Sequence, residues 1–199
     1  NEASLEPFFF FHPWLYLFLI PAVGMRLWAE DRRSGSIELL LTLPVTLLTA
    51  VVGKFLAAWI FVGIALVLTF PMVITVYYLG SPDTGLIVSG YVGSFLMAGA
   101  YLAITCCTSS MTKNQVIAFV LGFFICLILV LLGWGFLQTL LVSVFPVWLA
   151  DAIASFSFAT HFDGFHRGLI DSRDVIYFLS IIGFMLFTTV IVLENRKAS

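Results

Sequence analysis

Charge is what this sequence has least of. Acidic and basic residues make up 10% of its 199 positions and hydrophobic residues 61%, with a mean hydropathy of +1.11. A soluble domain carries about 25% charged residues, so a water-soluble globule is excluded. Several apolar runs exceed the roughly 18 residues that mark a membrane-spanning helix. A β-barrel would instead show weak alternating strands of about ten residues. The net charge of −2 says little, and no nucleic-acid partner is expected. Cysteine is scarce too: Cys106, Cys107 and Cys126 all fall inside apolar runs. Adjacent cysteines are badly placed to pair with each other, no spacing suggests a metal site, and all three read as small core residues.

Other absences narrow the chemistry. No glycine-rich loop ending in Lys-Ser or Lys-Thr is present to cradle phosphates. No basic stretch precedes the first apolar run, which follows Glu2 and Glu6, so no secretory signal is visible. No acidic or basic side chain falls in the middle of a span. Proton-coupled carriers, voltage sensors and ion pumps usually need such groups. The energy source is therefore expected outside the membrane, and the path suits an apolar or amphipathic cargo, although carbonyls and Thr or Tyr hydroxyls could serve a polar one.

What is present reads as an all-α polytopic membrane protein, a single transmembrane unit over residues 1–199 with five spans: Pro7–Trp28, Val51–Leu79, Leu86–Thr108, Gln115–Leu137 and Asp174–Leu193. Pro71 predicts a kink in the second span, because it lacks an amide hydrogen. In the third span Gly90, Ser94, Ala98, Tyr101, Thr105 and Thr108 stay on one face at 100° per residue. That face is either a seam where helices approach closely or the lining of a path. Arg26, Arg32, Arg33, Lys54, Lys113, Arg196 and Lys197 fall on one side of the membrane, and only Arg167 and Arg173 on the other. The positive-inside rule puts the first group in the cytoplasm. Asn1 is then outside, which predicts an additional upstream span, six in the full protein.

The most informative stretch is the charged island between the first two spans, residues 28–46. It carries Glu30, Asp31, Arg32, Arg33 and Glu38, with Arg26 just before it. Gly35 should stop the helix leaving the first span, and Ser34 or Ser36 can cap a new one. Ile37, Leu40 and Leu41 then share a face, Pro44 ends the helix, and Thr46 starts the next turn. A short amphipathic helix lying on the membrane results, and an interfacial anchor is its plainest role.

The run Ile20 to Val45, followed by Gly53-Lys54-Phe55-Leu56, resembles the ABC type-2 permease family, and most of all its gliding-motility and nitrous-oxide-reductase-maturation branch. The matching residues are Glu30, Gly35, Ser36, Glu38, Leu39, Leu40, Pro44, Val45, Gly53 and Lys54. Thr160 to Phe178 resembles the segment leading into the last span of that branch. The resemblance implies six spans and makes the island a coupling helix, with Glu30, Asp31, Arg32, Arg33, Gly35, Ser36, Glu38, Leu40 and Pro44 meeting a cytoplasmic ATPase. It further implies no cofactor in this chain, ATP and Mg bound by a partner ATPase dimer, and a second permease chain, identical or related. A periplasmic accessory protein, a bacterial cytoplasmic-membrane location and the role of exporter permease complete the expectation. An alternative is a mechanotransmission subunit that drives an extracytoplasmic partner and moves no cargo.

The outer segment 146–173 reads as one or two short helices in the outer leaflet, with Phe162, Phe165 and Leu169 as an apolar stripe. His161, Asp163 and His166 invite a metal site, but only Asp163 and His166 share a helix face, and a helical site prefers ligands at i and i+4. They read as interfacial polar residues, with Asp171 or Ser172 capping the last helix. His12, beside Pro13, reads as a packing or surface residue.

Overall fold

The computed structural model describes residues 5–37, 45–144 and 146–197, and every regular element among them is a helix. The first apolar run is not one helix. It forms α1 (Glu6–Phe10), α2 (His12–Gly24) and α3 (Arg26–Ser34), separated by single non-helical residues at Phe11 and Met25. Prolines explain the segmentation. Pro13 lacks the amide that would carry α1 on into α2, Pro7 stands at the helix start where none is needed, and Pro21 removes one donor inside α2. The uninterrupted span read over Pro7–Trp28 is thus corrected to three pieces.

The second run forms α4 (Leu47–Val67) and α5 (Phe70–Leu79). Thr46 caps α4, its hydroxyl accepting from the Thr49 amide at 3.2 Å. The interruption at Leu68–Thr69 lies where Pro71 deprives the Val67 carbonyl of its helical partner. The Thr69 hydroxyl donates to the Leu66 carbonyl at 2.6 Å beside the break. A single long helix, α6 (Thr84–Met111), follows, and then α7 (Gln115–Leu131). The apolar run continues as α8 (Gly135–Val144), but it turns 78° at residues 132–134. A straight fourth span to Leu137 is therefore not what forms. At this turn a methyl group on Gly133 would collide with Ser157, so only glycine admits that close approach.

Two short helices, α9 (Val147–Ala154) and α10 (Phe158–His166), lead into α11 (Ser172–Lys197). Asp171 caps α11, accepting from the Arg173 amide at 2.9 Å. Three helical stretches are long and apolar enough to cross a membrane: Leu47–Leu79, Thr84–Met111 and Ser172–Asn195; the bent α7–α8 pair makes up to four. The chain is a multi-pass membrane protein.

Burial sets the architecture. In its most apolar window α6 is 78% buried, against 17% for α4–α5 and 22% for α11, so α6 is the central post and the others wrap it. The small residues of α6 make the wrapping possible. Gly93 abuts the fully buried Phe165 of α10, and Gly99 leaves room for Trp59 of α4. Trp59 stacks on Phe95 with centroids 4.5 Å apart and donates its indole N–H to the Phe95 carbonyl at 2.9 Å.

At the end of the bundle formed by α9 and α10, His161 fastens α10 to α11. Its Nδ1 lies 2.7 Å from Asp174 Oδ1 and its Nε2 2.8 Å from the Ser155 carbonyl, while its ring stacks on Tyr177. Both partners accept, so both are hydrogen bonds only when both ring nitrogens carry hydrogen. Phe162 and Phe165 are buried, but Leu169 lies beyond the helix end and is exposed, so it does not extend their stripe.

Candidate functional site

The opposite end of the bundle gathers the charge. The start of α3, the first turns of α4 and the last turns of α6 and of α11 meet there, around a cluster of Trp28, Val51, Cys106 and Leu193. Trp28 is fully buried and donates its indole N–H to Cys106 Sγ at 3.3 Å.

One serine stitches the break between α2 and α3. Ser109, fully buried on α6, accepts from the Trp28 and Ala29 amides at 3.1 and 3.0 Å and donates to the Met25 carbonyl at 2.7 Å. Helix starts leave amide donors without intrahelical acceptors, and this hydroxyl supplies one from another helix. The neighbouring Ser110 carbonyl accepts from Arg32 Nη1 at 2.5 Å.

Lys54, in the second turn of α4, reaches back to α3. Its ammonium donates to the Leu27 carbonyl at 2.9 Å, pairs with the Asp31 carboxylate and lies 4.6 Å from the centre of the Trp28 ring. Asp31 also accepts at Oδ1 from the Ser36 hydroxyl at 3.4 Å. Gly35 ends α3 with φ +76°, in the left-handed region where glycine carries no Cβ penalty.

The residues expected to meet an ATPase therefore divide. Arg26, Glu30 and Arg33 recur about one turn apart and are exposed, while Asp31 and Arg32 turn inward to α4 and α6. Gly35 and Ser36 form the bend. Glu38, Leu40 and Pro44 lie outside the described residues. The other face singled out in the sequence packs on α1 and α2. Gly90 abuts Phe9, Ser94 Oγ lies 2.6 Å from His12 Nδ1, and the Tyr101 hydroxyl donates to the Pro13 carbonyl at 3.1 Å. Ala98 is fully buried, and Thr105 faces Gly24. His12 is accordingly a buried packing residue.

Lys54, Ser109 and Trp28 were not singled out by the sequence reading as members of this site. Only Lys54 gave a signal, as a cation near the start of the second span and a residue of the family motif.

This junction fastens α3 to both α4 and α6. Among the described residues no three His, Cys, Asp or Glu side chains converge as a metal site would need. A model of the ABC-2 family transporter proteins matches residues 6–193. The chain belongs to this family. A search of curated proteins finds no match. The ABC-2 protein is thus a membrane component of a transporter, and its family places the charged junction in a permease.

At the α9–α10 end the permease also holds a cavity of about 590 Å³ between α1–α2, α7 and α10. Trp14, Trp134 and Phe162 line its walls, and Asp163 and His166 its rim. Asp163 Oδ2 lies 2.8 Å from Arg167, and its Oδ1 lies 3.6 Å from His166 Nδ1.

Proposed function

We propose that the protein is the permease subunit of an ATP-driven exporter in a bacterial cytoplasmic membrane, working with a separate ATPase dimer and a second permease chain. The observation that carries this reading is the junction at the charged end. α3 presents Arg26, Glu30 and Arg33 outward while its inner face is bonded to α4 and α6. A lever needs both properties: a face to push on and fixed attachments behind it. The lysines and arginines at the same end favour a cytoplasmic orientation, where ATP is available. Closure of an ATPase dimer would push on α3 and on residues 36–45, and rigid-body tilting of the spans would open and close a path between two permease chains.

Affinity purification of the full-length protein in mild detergent, with mass spectrometry of its companions, tests the reading. A stoichiometric nucleotide-binding ATPase is the expected companion. Its absence under several mild conditions overturns the proposal. Glu38→Lys should then abolish stimulation of the ATPase by the permease without impairing membrane insertion. A liposome transport assay separates cargo export from pure force transmission.

A further inference from the structure

We infer that Lys54 is a positioning residue that joins α3 and α4 into one lever, so that a push on α3 reaches the second span directly and not only around the connecting segment. The inference rests on reading the exposed face of α3 as the surface the ATPase moves.

The geometry is specific. All three groups gripped by Lys54 belong to one turn of α3: the Leu27 carbonyl, the Trp28 ring and the Asp31 carboxylate. A lysine that met only an exposed carboxylate would hold little, because long side chains swing and water screens them. Here the ammonium also grips a backbone carbonyl, which is fixed to the helix axis and does not swing. Both ends of the ion pair are mostly buried, with 28% and 25% of the side chains exposed. An ammonium has three donors, and two of them are spent on α3.

The surroundings show what the tie adds. Immediately after α3, Gly35 sets a left-handed bend that the Ser36 hydroxyl bridges back to Asp31. The covalent route from α3 to α4 therefore leaves the helix axis at that bend. A push on Arg26, Glu30 and Arg33 reaches α6 through Ser109 and Arg32, and Lys54 adds a direct path to α4. The Lys54 tie joins residues 23 apart in sequence and bypasses that route. Val51, one turn before Lys54, is fully buried in the same cluster as Trp28, so the two helices also share side-chain packing at this point. The tie gives a role to Lys54, one of the residues that carry the family resemblance.

Spin labels test the idea at Ser34→Cys on α3 and Leu56→Cys on α4, both exposed positions. The three native cysteines are buried. In liposomes the unsubstituted background should give one narrow distance, unchanged when the ATPase complex binds ATP. Lys54→Met should broaden it and reduce stimulation of the ATPase about fivefold, as expected for a partly buried charged contact of this kind. Lys54→Arg, which keeps the charge and the donors, should retain most of both, whereas the swap Lys54→Asp with Asp31→Lys, which loses the donor to the Leu27 carbonyl, should not restore them. A narrow distance and full stimulation in Lys54→Met would overturn the inference while leaving the proposed function intact. If no ATPase accompanies the parent chain, the proposed function fails, and the width of the distance in liposomes still decides whether Lys54 ties the helices.

Discussion

Replacing Ser109 with alanine removes one oxygen and three hydrogen bonds. The Trp28 and Ala29 amides lose their acceptor, and the Met25 carbonyl loses its donor. The site is fully buried, so water does not replace them. Partial repair is built in: Met25 is four residues before Ala29, so a slight closing of the break lets that carbonyl and amide bond in the ordinary helical way. The Trp28 amide then remains alone. One unsatisfied buried donor costs about 1–3 kcal/mol, and the lost bond of the pair adds about 1 kcal/mol. A total of about 2–4 kcal/mol corresponds to a fall in Tm of roughly 4–15 °C for a chain of this size. The assay is thermal unfolding of the detergent-solubilised protein followed by tryptophan fluorescence, with limited trypsin digestion beside it. Loosening α3 should speed cleavage at Arg32 and Arg33. Ser143→Ala, whose hydroxyl meets only the Leu140 carbonyl of its own helix and is exposed, is the control and should stay within about 1 °C. If Ser109→Ala behaves like Ser143→Ala in both assays, the stitch between α2 and α3 carries no weight and the lever argument loses its anchor.

Two further outcomes follow from the packing. Gly93→Ala should destabilise by about 1–3 kcal/mol, because the new methyl meets a Phe165 ring that has nowhere to retreat. Gly183→Ala, with open space around it, should instead raise stability by up to about 1 kcal/mol through helix propensity, and the two Tm shifts should have opposite signs. His161→Ala removes the ring's contacts with Asp174 and the Ser155 carbonyl and its stack on Tyr177. Amide hydrogen exchange over residues 156–166 should quicken roughly tenfold, and Asp174→Asn, which keeps an acceptor oxygen, should give a smaller effect.

The sequence was most legible where a single residue has a local job. Gly35 stops α3, Thr46 starts α4 and Asp171 starts α11, each through backbone geometry or a cap within three residues. Pro71 marked its own break for the same reason. The bend at 132–134 was illegible because an apolar run carries no direction; the need for a small residue at Gly133 comes from Ser157, the cap of α10. The first span was read as continuous although Pro13 and Pro21 lie within it, since apolar length outweighed proline in that reading. At the charged end the reading found the island and its bend. It could not find that Asp31 and Arg32 turn inward, because their partners, Lys54 and Ser110, lie 23 and 78 residues away. Ser109 gave no signal at all: a serine near a span end looks like any interfacial residue until the amides it satisfies are seen.

The central post has a consequence for how the protein is made. Its mean hydropathy is 1.6, against 2.4 for Leu47–Leu79 and 2.5 for Ser172–Asn195. A helix bearing buried serines, threonines and glycines partitions into lipid less readily than its neighbours. Ribosomal synthesis delivers α2 and α4 before α6 and α11 long after it. The earlier helices can thus take up Gly90, Ser94 and Gly99 as they emerge, while the side of α6 that meets α11 must wait for the end of translation. The permease therefore inserts as a partnership and not as a row of independent spans, and a substitution that weakens α2 or α4 will be felt first as a failure of α6 to enter the bilayer.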